Sequence, residues 1–309
     1  MLISVYLPLL AALALAGPIP LLGRTLTPAA ATRVITALAA LTAACTTWGF
    51  ALLALTLVTA TPIATETGAF AHPVPTPVAV LAAALLVVGS ARAWRVVRGR
   101  QRAQRGMRQV CQMYSSSGEL AVVVDPVPQA FAVPGRTIST RPSARAGRIL
   151  ISTGLLRSAT VSDRRVVLAH ERAHLRHRHH HYRALVDIAA ALNPLLSGAR
   201  STTAYLVERW ADESAATATG SRAHTATALA TVALSVPASG AQPLSSAALA
   251  FHRHAVPRRV RALQAPVPPS RPTLAYLLAI PAVLAAIACM DATLALTRLL
   301  QPLLVQIHL

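Results

Sequence analysis

The chain has 309 residues and a mass of 32.3 kDa; 54% of them are hydrophobic and only 13% charged, with a mean hydropathy of +0.52. This composition excludes an ordinary pair of soluble domains and points to a membrane protein. The formal net charge of +19 comes from 29 basic residues, all arginine, against 10 acidic ones; no nucleic-acid-reading module accompanies that charge, so no direct nucleic-acid binding is expected.

In chain order, charge-free runs occupy 1–23, 34–65, 73–91 and 272–290. About 20 apolar residues cross the hydrocarbon of a bilayer, so four transmembrane helices are predicted: at about 2–22, 35–60 and 73–93 within an N-terminal unit 1–98, and a fourth, followed by a short external tail, within 271–309. Ala14-Leu15-Ala16 resembles a signal-peptide cleavage site, but the run lacks a basic leading segment and is read as a retained helix. Cys45 and Cys289 fall in apolar runs and Cys111 stands alone, which excludes a disulfide framework.

Arginine placement sets the orientation. Arg24 and Arg33 follow the first run, seven arginines from Arg92 to Arg108 follow the third, and Arg258, Arg259, Arg261 and Arg271 precede the fourth; 62–73 has no arginine and carries Glu66. The positive-inside rule then places a polar domain, 99–270, in the cytoplasm and both termini outside a multi-pass protein of the cell membrane. The fold class expected is mainly α, with a cytoplasmic α+β domain inserted between the third and fourth spans. The Ala/Thr run from Thr225 to Ser235, cut short by Pro237, is read as a helix of that domain. Asp291 is read as an interfacial residue or a partner for Arg298.

Chemistry-bearing residues concentrate in one interval: five of the ten acids lie between 171 and 213, and six of the eleven histidines between 170 and 181. Val166 to His174 reads VVLAHERAH, and Thr160 with Asp163 makes a capping-box start, so this HExxH motif sits on a helix. His170 and His174, four apart, project from one face and can converge on a tetrahedral zinc ion. Glu171 lies about 100 degrees round the helix, off the ligand row but able to reach an attacking water. Further on, Glu208-x-x-Ala-Asp212 puts two acids on one face of a second helix. Glu208 can supply the third ligand, and Asp212 can accept a hydrogen bond from the outer nitrogen of a ligand histidine.

In the alternative HExxHxxGxxH pattern the third ligand is His180. The glycine that turns the chain is replaced by His177, and a helix continuing through Tyr182 and Leu185 carries His180 away, which favours Glu208. His177 shares the face of the motif histidines, while His179 to His181 read as a solvated or headgroup-facing basic stretch.

The segments AFAVPG (130–135), RILISTGLL (148–156), VLAHERAH, ALNPLL (191–196) and ERWAD, in this order, resemble the BlaR/MecR-type membrane metallopeptidases, relatives of the Ste24/HtpX-type gluzincins. The similarity covers roughly 122–263 and extends to three helices before the domain and one after. It implies that His170, His174 and Glu208 bind one zinc ion per chain and that Glu171 is the general base of a zinc metalloendopeptidase. Arg259 to Leu263 resembles the segment that closes the gluzincin domain; just upstream, His252 or His254 is a candidate donor to the tetrahedral oxyanion, with a purely structural role open beside it.

The sequence departs from the sensor-transducers in having no segment after the fourth predicted span that matches their extracellular penicillin-binding domain, so antibiotic sensing is not carried over. The expected partners are a protein or peptide substrate, for which a cytoplasmic BlaI/MecI-type repressor is a candidate, and the lipid bilayer. A zinc transporter with a His-rich cytoplasmic loop is the competing class; it needs polar ligands within the spans, where only Asp291 is found. From the arginine asymmetry, a reporter fused within 214–220 is expected to behave as cytoplasmic and one within 65–73 as external; activity of the first outside the cell would remove the repressor-type substrate from consideration.

Overall fold

A computed structural model describes residues 2–59, 75–114, 118–135, 147–235, 246–266 and 272–307; side chains at 2–5, 8, 58–59, 246–254 and toward the C-terminus lie outside that description. The first apolar run becomes helix α1, Leu2–Ala16, which stops at Gly17-Pro18 and gives way to a 3-10 turn, Ile19–Leu21, and a one-turn helix α2, Leu22–Thr25. Pro18 and Pro20 cannot donate to a continuing ladder. The 15 residues of α1 therefore rise about 22 Å, less than the ~30 Å of bilayer hydrocarbon.

Among the described residues three helices are long and apolar enough to cross a membrane: Pro28–Leu57, Thr76–Tyr114 and Thr273–Leu294. The first belongs to α3, Pro28–Thr59, where the hydroxyls of Thr32, Thr36 and Thr46 donate to carbonyls one turn back at 2.7–2.9 Å and so stay satisfied in apolar surroundings. The second is α4, Thr76–Tyr114, a single helix of 39 residues that runs without a break through the arginine cluster. Hydropathy marked its end at the first charges, but arginine is a good helix former, so the backbone continues.

Beyond α4 lies a three-stranded sheet, β1 (Leu120–Val123), β2 (Ala130–Val133) and β3 (Arg148–Ser152), in the order β1-β3-β2; β3 pairs parallel with β1 and antiparallel with β2. Strand β3 is the buried centre, with Ile149, Leu150 and Ile151 nearly inaccessible. It runs into α5, Thr153–Ser158, at a tight junction. The Ser152 hydroxyl accepts from the amides of Gln129 and Leu155 and donates to the Val127 carbonyl at 2.7 Å, while the Gly154 amide donates to the Asp125 carbonyl at 2.8 Å. Any Cβ on Gly154 would meet the Pro126 carbonyl.

Helix α6, Val161–Arg176, starts with the capping box read from Thr160 and Asp163. The expected continuation through Tyr182 does not occur. Arg178 takes a left-handed conformation at φ 52, and a separate helix α7 runs His179–Leu192. Asn193 and the 3-10 turn Pro194–Leu196 lead to α8, Ser197–Thr219, which ends on Gly220 at φ 73. Helix α9, Arg222–Ser235, is a domain helix packed on α6, α8 and the following helix α10, Ser246–Gln264. The chain closes with α11, Thr273–Ile307, against α1 and α3.

The sequence suggested a polar domain hung between spans, yet α7 and α8 pack directly on α3. One core joins Leu15, Ile35 and Leu38 of the N-terminal helices to Val186, Ala189, Leu196 and Leu206 of the polar unit. The Asn193 amide donates to Thr46 Oγ1 at 3.5 Å, so the α7–α8 corner reaches the middle of α3. Helix α4 fastens to α7 where Gly89 lies against the Leu192 carbonyl, and again where Arg100 bonds Asp187 at 2.6 Å and the His180 carbonyl at 3.1 Å. Gly154→Ala is expected to destabilise the β3–α5 junction by roughly 1–3 kcal/mol, as overpacking does, seen as an earlier thermal unfolding midpoint than in the otherwise comparable Gly99→Ala, whose Cβ enters open space.

Candidate metal centre

Helices α6 and α8 cross so that the two acid and histidine rows face each other. The Nε2 atoms of His170 and His174 lie 3.1 Å apart; Glu208 Oε2 is 3.5 Å from the former and Oε1 3.7 Å from the latter. Zinc–ligand bonds of about 2.0–2.1 Å in a tetrahedron place neighbouring donors roughly 3.3–3.4 Å apart. The three donors therefore suit a zinc-sized ion, and among the described residues they form the one group of this kind.

The outer nitrogens are held differently. His170 Nδ1 donates to Asp212 Oδ1 at 3.0 Å, and Asp212 in turn accepts two bonds from Arg259, at 2.8 Å from Nε and 2.6 Å from Nη2. Arg259 Nη1 also lies 3.4 Å from Glu208 Oε2. His174 Nδ1 faces His179 Nδ1 at 3.0 Å. With a metal on its Nε2, His174 would carry its proton on Nδ1 and donate to His179.

His179 is thus not the solvated residue the basic run suggested. It is 1% exposed and sits 4.7 Å from the Trp210 ring, and Trp210 also stacks on His177 at 4.6 Å. The break at Arg178 makes this possible, because the left-handed residue folds α7 back so that its first side chain meets α6. Positive φ costs a non-glycine residue roughly 1–2 kcal/mol, and no glycine or proline marked it in the sequence.

Electrostatics follow from burial and two opposing charge sets. Burial works against a proton on His170, but hydrogen bonds to Asp212 and Glu208 outweigh it and raise its pKa. Burial drives His174 well below the ordinary histidine range. Burial lifts Glu171 to about 7, opposed by His170 and by the Ala132 amide, which donates to its carboxylate. Asp212 is held at about 2 because Arg259 overrides the cost of burial. Two carboxylates and two imidazoles around one point attract a cation.

These groups line a cleft of about 540 Å³ that also takes in the outer side of β2, from Ala130 to Ala132. The structure brings together His170, Glu171, His174, Glu208 and Asp212, all singled out from the sequence. His180 lines the cleft but is not in the ligand group. His252 and His254 fall on α10 with side chains outside the description. Arg259, His179 and Trp210 went unrecognised as site residues. Arg259 carried one clue, its place in the segment resembling the gluzincin closing motif.

Residues 98–245 match the model of Peptidase family M48, a family of zinc metalloproteases. No curated protein and no solved structure matches the chain. The match embraces β1–β3 and the three clustered side chains, and it supports a zinc metallopeptidase of the Ste24/HtpX type. It stops short of α10 and Arg259. His179→Ala is expected to weaken zinc affinity about 10–100-fold, the usual effect of losing a partner that orients a ligand, measured by chelator competition with helix content unchanged.

Proposed function

We propose that the protein is a membrane-anchored zinc endopeptidase that cleaves an extended segment of a cytoplasmic or membrane-proximal protein. The observation that carries this reading is the convergence of His170, His174 and Glu208 within 4.8 Å of one another beside a carboxylate, Glu171, that belongs to no ligand pair. His170, His174 and Glu208 would hold a zinc ion, which would supply Lewis acidity at this point.

Glu171 takes a proton from the attacking water onto its carboxylate and hands it to the leaving amine nitrogen. Asp212 orients His170 and Arg259 anchors Asp212, so the ligand row keeps its geometry while charge develops. The outer side of β2 lies at the sheet's edge, and an extended substrate can add to it as a further strand. Just upstream of the gluzincin-like closing segment, His252 or His254 would be the donor to the developing oxyanion.

The finer parts of the reading rest on sequence. Arginine placement supports a multi-pass protein of the cell membrane with its peptidase domain in the cytoplasm and its termini outside; α1 together with its broken continuation to Thr25 serves as the first of the four spans. The resemblance to BlaR/MecR-type peptidases supports a BlaI/MecI-type repressor as substrate. The family match speaks for hydrolysis rather than zinc transport.

Three variants test the roles. Glu208→Ala is expected to lose zinc and activity together. Glu171→Gln should keep near-stoichiometric zinc and lose hydrolysis by at least about 100-fold. His180→Ala should do neither; zinc lost with His180 but kept without Glu208 would place the third ligand elsewhere. In cells, the substrate is expected to accumulate uncut only with the Glu171→Gln protein.

A further inference from the structure

The cleft is asymmetric in charge along the strand edge. Strand β2 runs about 13 Å from Ala130 to Val133. Its start joins an apolar wall: Ala130, Leu155, Val167 and Val232 form one packed cluster, and all four line the cleft. Its other end, at Pro134 and Gly135, is gripped by Arg108 of α4, whose Nε and Nη2 donate to the two carbonyls at 3.1 and 2.9 Å. There the lining is Arg100 and Gln104 of α4 with His180 and Arg183 of α7.

The basic end is not neutralised. Asp187 serves both Arg100 and Arg200, at 2.6 and 3.0 Å. Among the described residues Arg183 has no ion-pair partner, although it is half-buried in the lining. Burial and the surrounding cations hold His180 at about 4, so it adds no charge at neutral pH and reports the positive field around it. Arg183 lies four residues after His179, on the same face of α7 and about 6 Å along its axis. A side chain within a few residues of the scissile bond can therefore reach it.

We propose that the cleft selects a peptide strand with an acidic side chain at the α4–α7 end, received by Arg183 and the positive field around it, and an apolar side chain at the α5–α9 end. This rests on the peptidase reading and names its substrate class. An anionic lipid headgroup shares the acidic chemistry, but the basic end is continuous with the metal cleft and the apolar wall beyond it, which suits a side chain in a strand.

The test uses full-length zinc-loaded protein in phosphatidylcholine nanodiscs, which present no net anionic headgroup. Fluorescent peptides with one apolar framework and a single Glu or Lys scanned through it are bound to the Glu171→Gln variant, so that affinity is read without turnover. The best Glu peptide should bind about tenfold more tightly than its Lys counterpart, as a charge-assisted contact in a partly buried groove allows. The gap should shrink in high salt, and adding Arg183→Glu should reverse it. Equal affinity for both peptides would overturn the proposal. So would an Arg183→Glu change that leaves peptide preference intact and only weakens binding to phosphatidylserine vesicles. Cleavage of an unfolded protein by the wild type with no acidic preference would leave the peptidase reading standing without this one; absence of any cleavage would strike the peptidase reading itself.

Discussion

Asp212 and Arg259 form a two-bond ion pair that is 2–3% exposed, and three helices meet at it. Helix α8 contributes Asp212 and Glu208, α10 contributes Arg259, and α6 brings His170 to the same carboxylate. Hydrophobic packing around them is thin, because the neighbouring clusters are built largely of alanine: Val166 with Ala215 and Ala228, and Leu263 with Ala216 and Ala226. Where methyl groups supply so little area, directional bonds between charges fix the crossing. The arrangement is also fragile, since removing one member of a buried pair typically costs about 3–5 kcal/mol through the charge left behind. Position of the ligands and cohesion of the domain are therefore the same property here.

Features set by short spacing along a helix were legible in the sequence. The two histidines four apart, the two acids four apart and the Thr160 cap each depend on one turn of backbone, and the structure contains all three. Interactions that need the tertiary path were not. Arg259 meets Asp212 across 47 residues of sequence, and helix spacing does not distinguish it from Arg258, which lies instead over the Tyr205 ring. The burial of His179 depends on Arg178, a residue type with no preference for the left-handed turn it makes. Pro18 and Pro20 were visible as helix breakers, but a count of apolar residues does not weigh them.

The polar unit and the N-terminal helices share a core because α7 and α8 are apolar on the side that meets α3. Alanines at 189–191 and 199 allow close approach there. Beside that core, Arg33 of α3 sits 4.9 Å over the ring of Trp210, which packs on His179. A continuous set of contacts thus runs from α3 through Trp210 and His179 to His174.

Helix α4 carries a mechanical consequence. Its 39 residues extend about 58 Å, near twice the thickness of bilayer hydrocarbon, so roughly the last 30 Å project beyond the lipid if the first half spans it. That projecting arm holds Arg100, at the cleft wall, and Arg108, which grips the end of β2. A change in tilt of about 10 degrees, well inside the range transmembrane helices adopt, would swing the end of such an arm through about 5 Å. The arm thus joins the apolar half of α4 to the groove beside the edge strand, with the Arg100–Asp187 bond as one of its fastenings.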